Sequence, residues 1–188
     1  MNIDIKRRKE KFRSVLRWAI YFLLLFIEYI VMTTTGPAQR MPLLIVSTAI
    51  CISAFEDPFN SAILGCLAGL MLDGAEGTIV GLNGIILTMC CLMTSLLFYF
   101  LMRRHIVNVL ALTAAASFIQ TGFRYIFYYS IWSYDSHGAI YLREILPIII
   151  FTIIASALFY PLIRFLSSRL GIIKETYVEE KSENIVRE

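Results

Sequence analysis

Gly65-Cys66-Leu67-Ala68-Gly69-Leu70-Met71-Leu72-Asp73, with Gly77 and Gly81 following at fixed steps, is the stretch on which the reading of this chain turns. Ala62, Gly65, Gly69 and Asp73 are spaced by three, four and four. On a helix those positions share one face. The face is a groove of small residues that ends in a carboxylate. Small residues let helix backbones approach closely in lipid, and a carboxylate at membrane depth is costly unless a partner satisfies it. Two readings stay open: intramolecular packing with Asp73 capping a neighbouring backbone, or a contact surface at the outer end of the groove.

The surroundings of the run set the class. Of 188 residues, 58% are hydrophobic, and the mean hydropathy is +0.71. Soluble domains are roughly 45–50% apolar. Several apolar stretches approach the roughly 20 residues that cross a bilayer as a helix. The runs are continuous rather than alternating, which argues against a β-barrel. The expected fold is all-α: a polytopic membrane protein with six transmembrane helices and both termini cytoplasmic.

Working outward, residues 1–15 form a basic cytoplasmic lead, 16–170 one six-helix transmembrane domain, and 171–188 a charged cytoplasmic tail. The first span runs from about Leu16 to Thr35 and reads as uncleaved, since no small-residue cleavage site ends it. Pro42 opens an apolar stretch to Ala54, and Phe55-Glu56-Asp57-Pro58 interrupts it. Asn60 suits an N-cap for the next helix, which ends near Asp73. Each of these two segments is about 13 residues, near 20 Å at 1.5 Å per residue. They either extend through their flanking turns or form a hairpin shielded by the other spans. The remaining spans are expected at about Thr78–Met102, Ile106–Ser130 and Glu144–Leu166.

Charge fixes the orientation. The net charge of +3 on 17 Lys and Arg is no nucleic-acid signal. Seven of the 17 precede residue 18, five follow residue 163, and Arg103 and Arg104 sit in one turn. With the N-terminus inside and six crossings, 14 of 17 basic residues lie on the cytoplasmic side, as positive-inside topology requires. The acidic inner turn at Glu56 and Asp57 dissents. Trp18 and Tyr21 read as an inner aromatic belt; Tyr125, Tyr128, Tyr129, Trp132, Tyr134 and Tyr141 read as an outer one.

Glu28 and Arg124 are the clear intramembrane charges, at similar depth, and a structural ion pair is the default expectation for them. Cys51, Cys66, Cys90 and Cys91 read as small buried apolar residues. No catalytic, cofactor or metal constellation emerges. Asp135-Ser136-His137 are adjacent in one loop and cannot align as a triad. The two histidines are isolated, and no phosphate-binding loop is present.

The motif resembles that of the rod shape-determining protein MreD family. The family pattern is Gly-x-x-x-Gly-Leu, an Asp four to five residues on, then Gly at four and eight residues past the Asp. Here those are Gly65, Gly69, Leu70, Asp73, Gly77 and Gly81, followed by Leu82 and Asn83. The resemblance implies a non-enzymatic membrane scaffold subunit of the bacterial cell-elongation complex in the cytoplasmic membrane. Its implied partners are MreC, MreB, RodA and a class B penicillin-binding protein. It implies a role in coupling MreB filaments to side-wall peptidoglycan synthesis. Gly65, Gly69, Asp73, Gly77 and Gly81 are its sensitive positions, as a helix-packing or partner face, and no cofactor is implied. The competing reading is the substrate-binding subunit of an energy-coupling-factor vitamin transporter, to which the MreD fold looks similar. Those subunits carry Ala-x-x-x-Ala in the first span; here Ala19 has no small residue four away.

Overall fold

A computed structural model describes residues 2–34, 43–77, 79–101, 105–126 and 146–170. Among these residues six helices follow in order: α1 (Asn2–Thr34), α2 (Leu44–Ser53), α3 (Pro58–Glu76), α4 (Leu82–Phe100), α5 (Ile106–Tyr125) and α6 (Leu146–Leu170). No strand occurs among the described residues. Five helices are long and apolar enough to cross a membrane, and α2 is the short exception. This is a multi-pass membrane architecture.

The ends of the helices follow local chemistry more closely than hydropathy. Pro58 opens α3 after an extended Asp57, because its fixed φ and missing N–H suit a first helical position. The start is therefore two residues before Asn60, the expected cap. At the other end α3 runs three residues past Asp73, until Gly77 turns left-handed at φ 63° and its N–H bonds to the Asp73 carbonyl. Gly81, at φ 101°, delays α4 to Leu82 rather than Thr78. The two short segments of about 13 residues are thus a 19-residue α3 and a 10-residue α2. α1 begins at Asn2, so helix continues through the basic lead. α6 ends four residues later than Leu166 and holds Pro161 in its interior. That removes one backbone donor, which neighbouring helices make tolerable in a membrane bundle.

α2 is the axis of the fold. Its residues from Ile45 to Ser53 are all buried, and it touches each of the other five helices. Ten residues reach about 15 Å, half of a hydrocarbon core of roughly 30 Å. Hydroxyls stitch it to α6. The Ser47 hydroxyl donates to the Thr152 carbonyl at 2.8 Å, and the Leu43 N–H donates to Thr152 Oγ1 at 3.1 Å. Cys51 Sγ lies 3.7 Å from the Ser156 carbonyl. A backbone donor buried at this depth needs such a partner.

Side-chain contacts also fix the sense of each helix. Tyr21, early in the α1 span, bonds to Glu56 in the α2–α3 turn. Ser95, late in α4, bonds to the same residue. Phe55 of that turn packs on Tyr160, late in α6, with ring centroids 5.8 Å apart. Gln120, late in α5, bonds to Asn83 at the start of α4. Successive helices therefore alternate in direction, and the α1 N-terminal end lies at the same end of the bundle as the α6 C-terminal end.

Candidate functional site

The glycine face of α3 packs directly on α4. A Cβ placed on Gly69 would run into Gly84 Cα and lie 2.6 Å from the Asn83 carbonyl oxygen. One on Gly65 would lie 2.8 Å from the Leu87 carbonyl oxygen and 2.9 Å from Thr88 Cα. The obstacles are backbone, so no rotamer change relieves them. α4 answers with its own small residues, Gly84, Thr88 and Cys91, spaced by four and three. That second stripe is readable in the sequence by the same spacing rule, although no carboxylate marks it.

Gly77 and Gly81 are glycines for a different reason. Nothing lies within 4 Å of a Cβ built on either, and both have positive φ. They shape the turn and take no part in the close-packed face to which the resemblance assigned them. An L-residue is strained in that conformation whatever room it has.

Asp73 joins the two glycine sets. Its side chain is 1% exposed. Oδ2 accepts the Gly81 N–H at 2.7 Å and Oδ1 accepts the Asn83 N–H at 3.1 Å. The carboxylate of one helix thus caps the N-terminus of the next, where free N–H groups and the helix dipole both favour a negative charge. Asn83 extends the node. Its Nδ2 donates to Glu76 Oε2 at 3.1 Å, and its Oδ1 accepts from Gln120 Nε2 at 3.0 Å. Three helices are tied together at this end.

Glu28 lies elsewhere, on α1 facing α2. It is buried, and its Oε1 accepts the Thr48 hydroxyl. Its Oε2 has no hydrogen-bond partner among the described residues. The expected counter-charge, Arg124, sits near the C-terminal end of α5, and its side chain lies outside the described residues, as does the pairing. The Tyr125 side chain, the rest of the outer tyrosine and tryptophan set and Asp135-Ser136-His137 lie outside them too.

At the opposite end Glu56 forms a second buried node. Arg17 Nε lies 3.0 Å from Glu56 Oε1, and the Tyr21 hydroxyl donates to the same oxygen at 3.0 Å. The Ser95 hydroxyl donates to the Glu56 carbonyl at 2.6 Å. Burial pushes the Glu56 carboxyl above the usual range, while Arg17 and the Tyr21 bond pull it back. The acidic turn that dissented from the charge rule is therefore met by a basic residue of α1. Tyr21 is 2% exposed, so it belongs to this node and not to an interfacial belt. Cys66 is likewise corrected: it is exposed on α3, while Cys51 and Cys91 are buried and Cys90 is intermediate.

No group of three His, Cys, Asp or Glu side chains able to hold a metal occurs among the described residues. The polar groups described above bond one helix to another, an arrangement suited to fixing a shape. A family model described as rod shape-determining protein MreD matches residues 9–170. Comparisons with curated proteins and with solved structures gave no match. The vitamin-transporter reading gains no support from them.

Proposed function

Since the chain belongs to the family of rod shape-determining MreD proteins, with a role in rod shape determination, we propose that it is a non-enzymatic scaffold of the cell-elongation machinery. It sits in the bacterial cytoplasmic membrane with both termini inside. MreC is its direct partner, and MreB, RodA and a class B penicillin-binding protein belong to the same assembly. Its work is to hold a fixed membrane surface on which filament and wall synthase are brought into register.

The observation that carries this reading is the α3–α4 hairpin. Two helices in backbone contact at Gly65 and Gly69, closed by the buried Asp73 cap, make a unit with little freedom to bend. A preformed surface binds without the cost of ordering it first. The outward sides of the same helices, including Phe59, Ile63, Leu67, Ile85, Met89 and Met93, are exposed and apolar. They are available to lipid or to a partner's transmembrane helix.

A mild-detergent pull-down of the tagged protein from its native membranes, read by mass spectrometry, tests the proposal. Recovery of MreC with the synthase components is expected. Recovery of a transporter's coupling subunit and ATPases in their place would overturn it.

A further inference from the structure

The two turns that bound α3 differ in kind. The turn before it holds Glu56, which Arg17 meets at 3.0 Å, and the exposed Asp57. The turn after it, Gly77-Thr78-Ile79-Val80-Gly81, carries no charged residue. Ile79 and Val80 are 65% and 79% exposed at its tip.

We infer that this tip is seated in the bilayer, with Ile79 and Val80 against lipid acyl chains at the border of the hydrocarbon core. Three observations carry the inference. The first is length. α3 and α4 have 19 residues each, and a helix of that length rises about 28 Å. The hydrocarbon core is roughly 30 Å thick, and an average tilt of about 20° shortens the reach of the hairpin to about 27 Å. The charged turn at Glu56 and Asp57 holds the other end at the polar border, since charge drawn into hydrocarbon is costly. Measured from there, α3 ends short of the opposite border, and the tip residues only reach it.

The second observation is where the backbone donors of the turn go. A backbone N–H without a partner is expensive in lipid. The Gly77 N–H bonds to the Asp73 carbonyl. The Gly81 and Asn83 N–H groups bond to the Asp73 carboxylate. The Leu82 N–H bonds to the Ile79 carbonyl at 3.3 Å. These donors need no water. In a water-facing turn solvent would serve them, so a carboxylate only 1% exposed and placed on two of them suits a turn that lipid surrounds. Glu76, the next acidic residue, is also engaged within the hairpin, by Asn83 Nδ2 at 3.1 Å.

The third is fixed presentation. Gly77 and Gly81 hold left-handed backbone on either side of the tip, and Asp73 ties Gly81 back to α3. The apolar pair is held outward from the bundle instead of folding onto it.

The test uses the full chain in lipid nanodiscs, whose two faces are both open to reagents. V80C is treated with a membrane-impermeant maleimide, and the modified peptide is identified by mass spectrometry, which separates it from Cys66. D57C is the water-facing standard. A second reading uses V80W in a W18F/W132F background, with M89W as the lipid-facing standard, since Met89 is exposed in the middle of α4. V80C is expected to label several-fold more slowly than D57C. V80W is expected to be quenched by brominated acyl chains about as strongly as M89W, and only weakly by aqueous iodide. Labelling of V80C at the D57C rate overturns the proposal, as does iodide quenching of V80W without quenching by brominated lipid, because the tip would then face water. Both readings are independent of which terminus lies in the cytoplasm and of any protein partner.

Discussion

The α3–α4 hairpin and the α1 seam are both helix contacts in one small bundle, and they are built on opposite plans. In the hairpin, backbone meets backbone at two positions one turn apart, and glycine is required because a methyl group has nowhere to go. α1 instead presents a narrow stripe to the bundle, Tyr21, Leu25, Glu28 and Met32, spaced by four, three and four. Phe22, Leu23, Phe26 and Ile27 beside that stripe are exposed. What anchors α1 is polar: Arg17 and Tyr21 on Glu56, and Glu28 on Thr48. Within a membrane the hydrophobic effect does not drive helices together, so close packing and hydrogen bonds must. The hairpin relies on packing and α1 on a few bonds. The hairpin is the rigid part, and α1 is the element more easily displaced.

Substitutions separate the two plans by size of effect. Gly69→Leu should be the most damaging, because it drives a side chain into the α4 backbone; a loss of roughly 3 kcal/mol or more is expected. The check is the unfolding midpoint of purified protein. Gly69→Ala should fall between Leu and wild type, since even one methyl clashes. Asp73→Ala comes next. It strips two N–H groups at the start of α4 of a charged acceptor, at a cost of about 2 kcal/mol. Faster hydrogen exchange confined to the first turn of α4 would mark the loss, and exchange unchanged there would refute the capping role. Thr48→Val should cost about 1 kcal/mol, since it takes the hydroxyl donor from the buried Glu28 carboxyl. It should loosen α1 without touching the hairpin, readable as greater mobility of a label on α1 alone.

The smallest effect is on pH dependence. Glu56 titrates higher in the folded protein than its ordinary value of about 4.3, because burial disfavours its charge. The folded state therefore holds the proton more tightly than the unfolded state does. Its contribution is fully present below the ordinary value and declines as pH rises through the folded one. Stability measured across mildly acidic pH should fall with rising pH in wild type and flatten in Glu56→Gln. An unchanged slope in the variant would move the effect to another group.

Much of this was legible in the chain. Spacing by three and four placed Gly65, Gly69 and Asp73 on one helix face, and the glycine-aspartate pattern pointed to the family that the match over residues 9–170 establishes. Hydropathy located the helices but misplaced their ends, because ends are set by Pro58, Gly77 and Gly81, which hydropathy averages away. The partners of the buried charges were not legible. Glu56 meets Arg17 across 39 positions of sequence, and Gln120 meets Asn83 across 37. Contacts at that range depend on how helices alternate and lean, and no local pattern encodes it. The brevity of α2 was half-visible: the segment looked too short to span, and only its burial on all sides explains how a short helix is accommodated.

We propose that the hairpin, more than α1, holds the shape that partners recognise. The most direct measurement places Gly69→Ala and Thr48→Val in rod-shaped cells lacking the wild-type chain. At matched membrane levels, cell width and MreC recovered with each variant are then compared. Wider cells and reduced MreC recovery are expected for Gly69→Ala, with Thr48→Val close to wild type. Normal width and full MreC recovery in Gly69→Ala, with both lost in Thr48→Val, would contradict it.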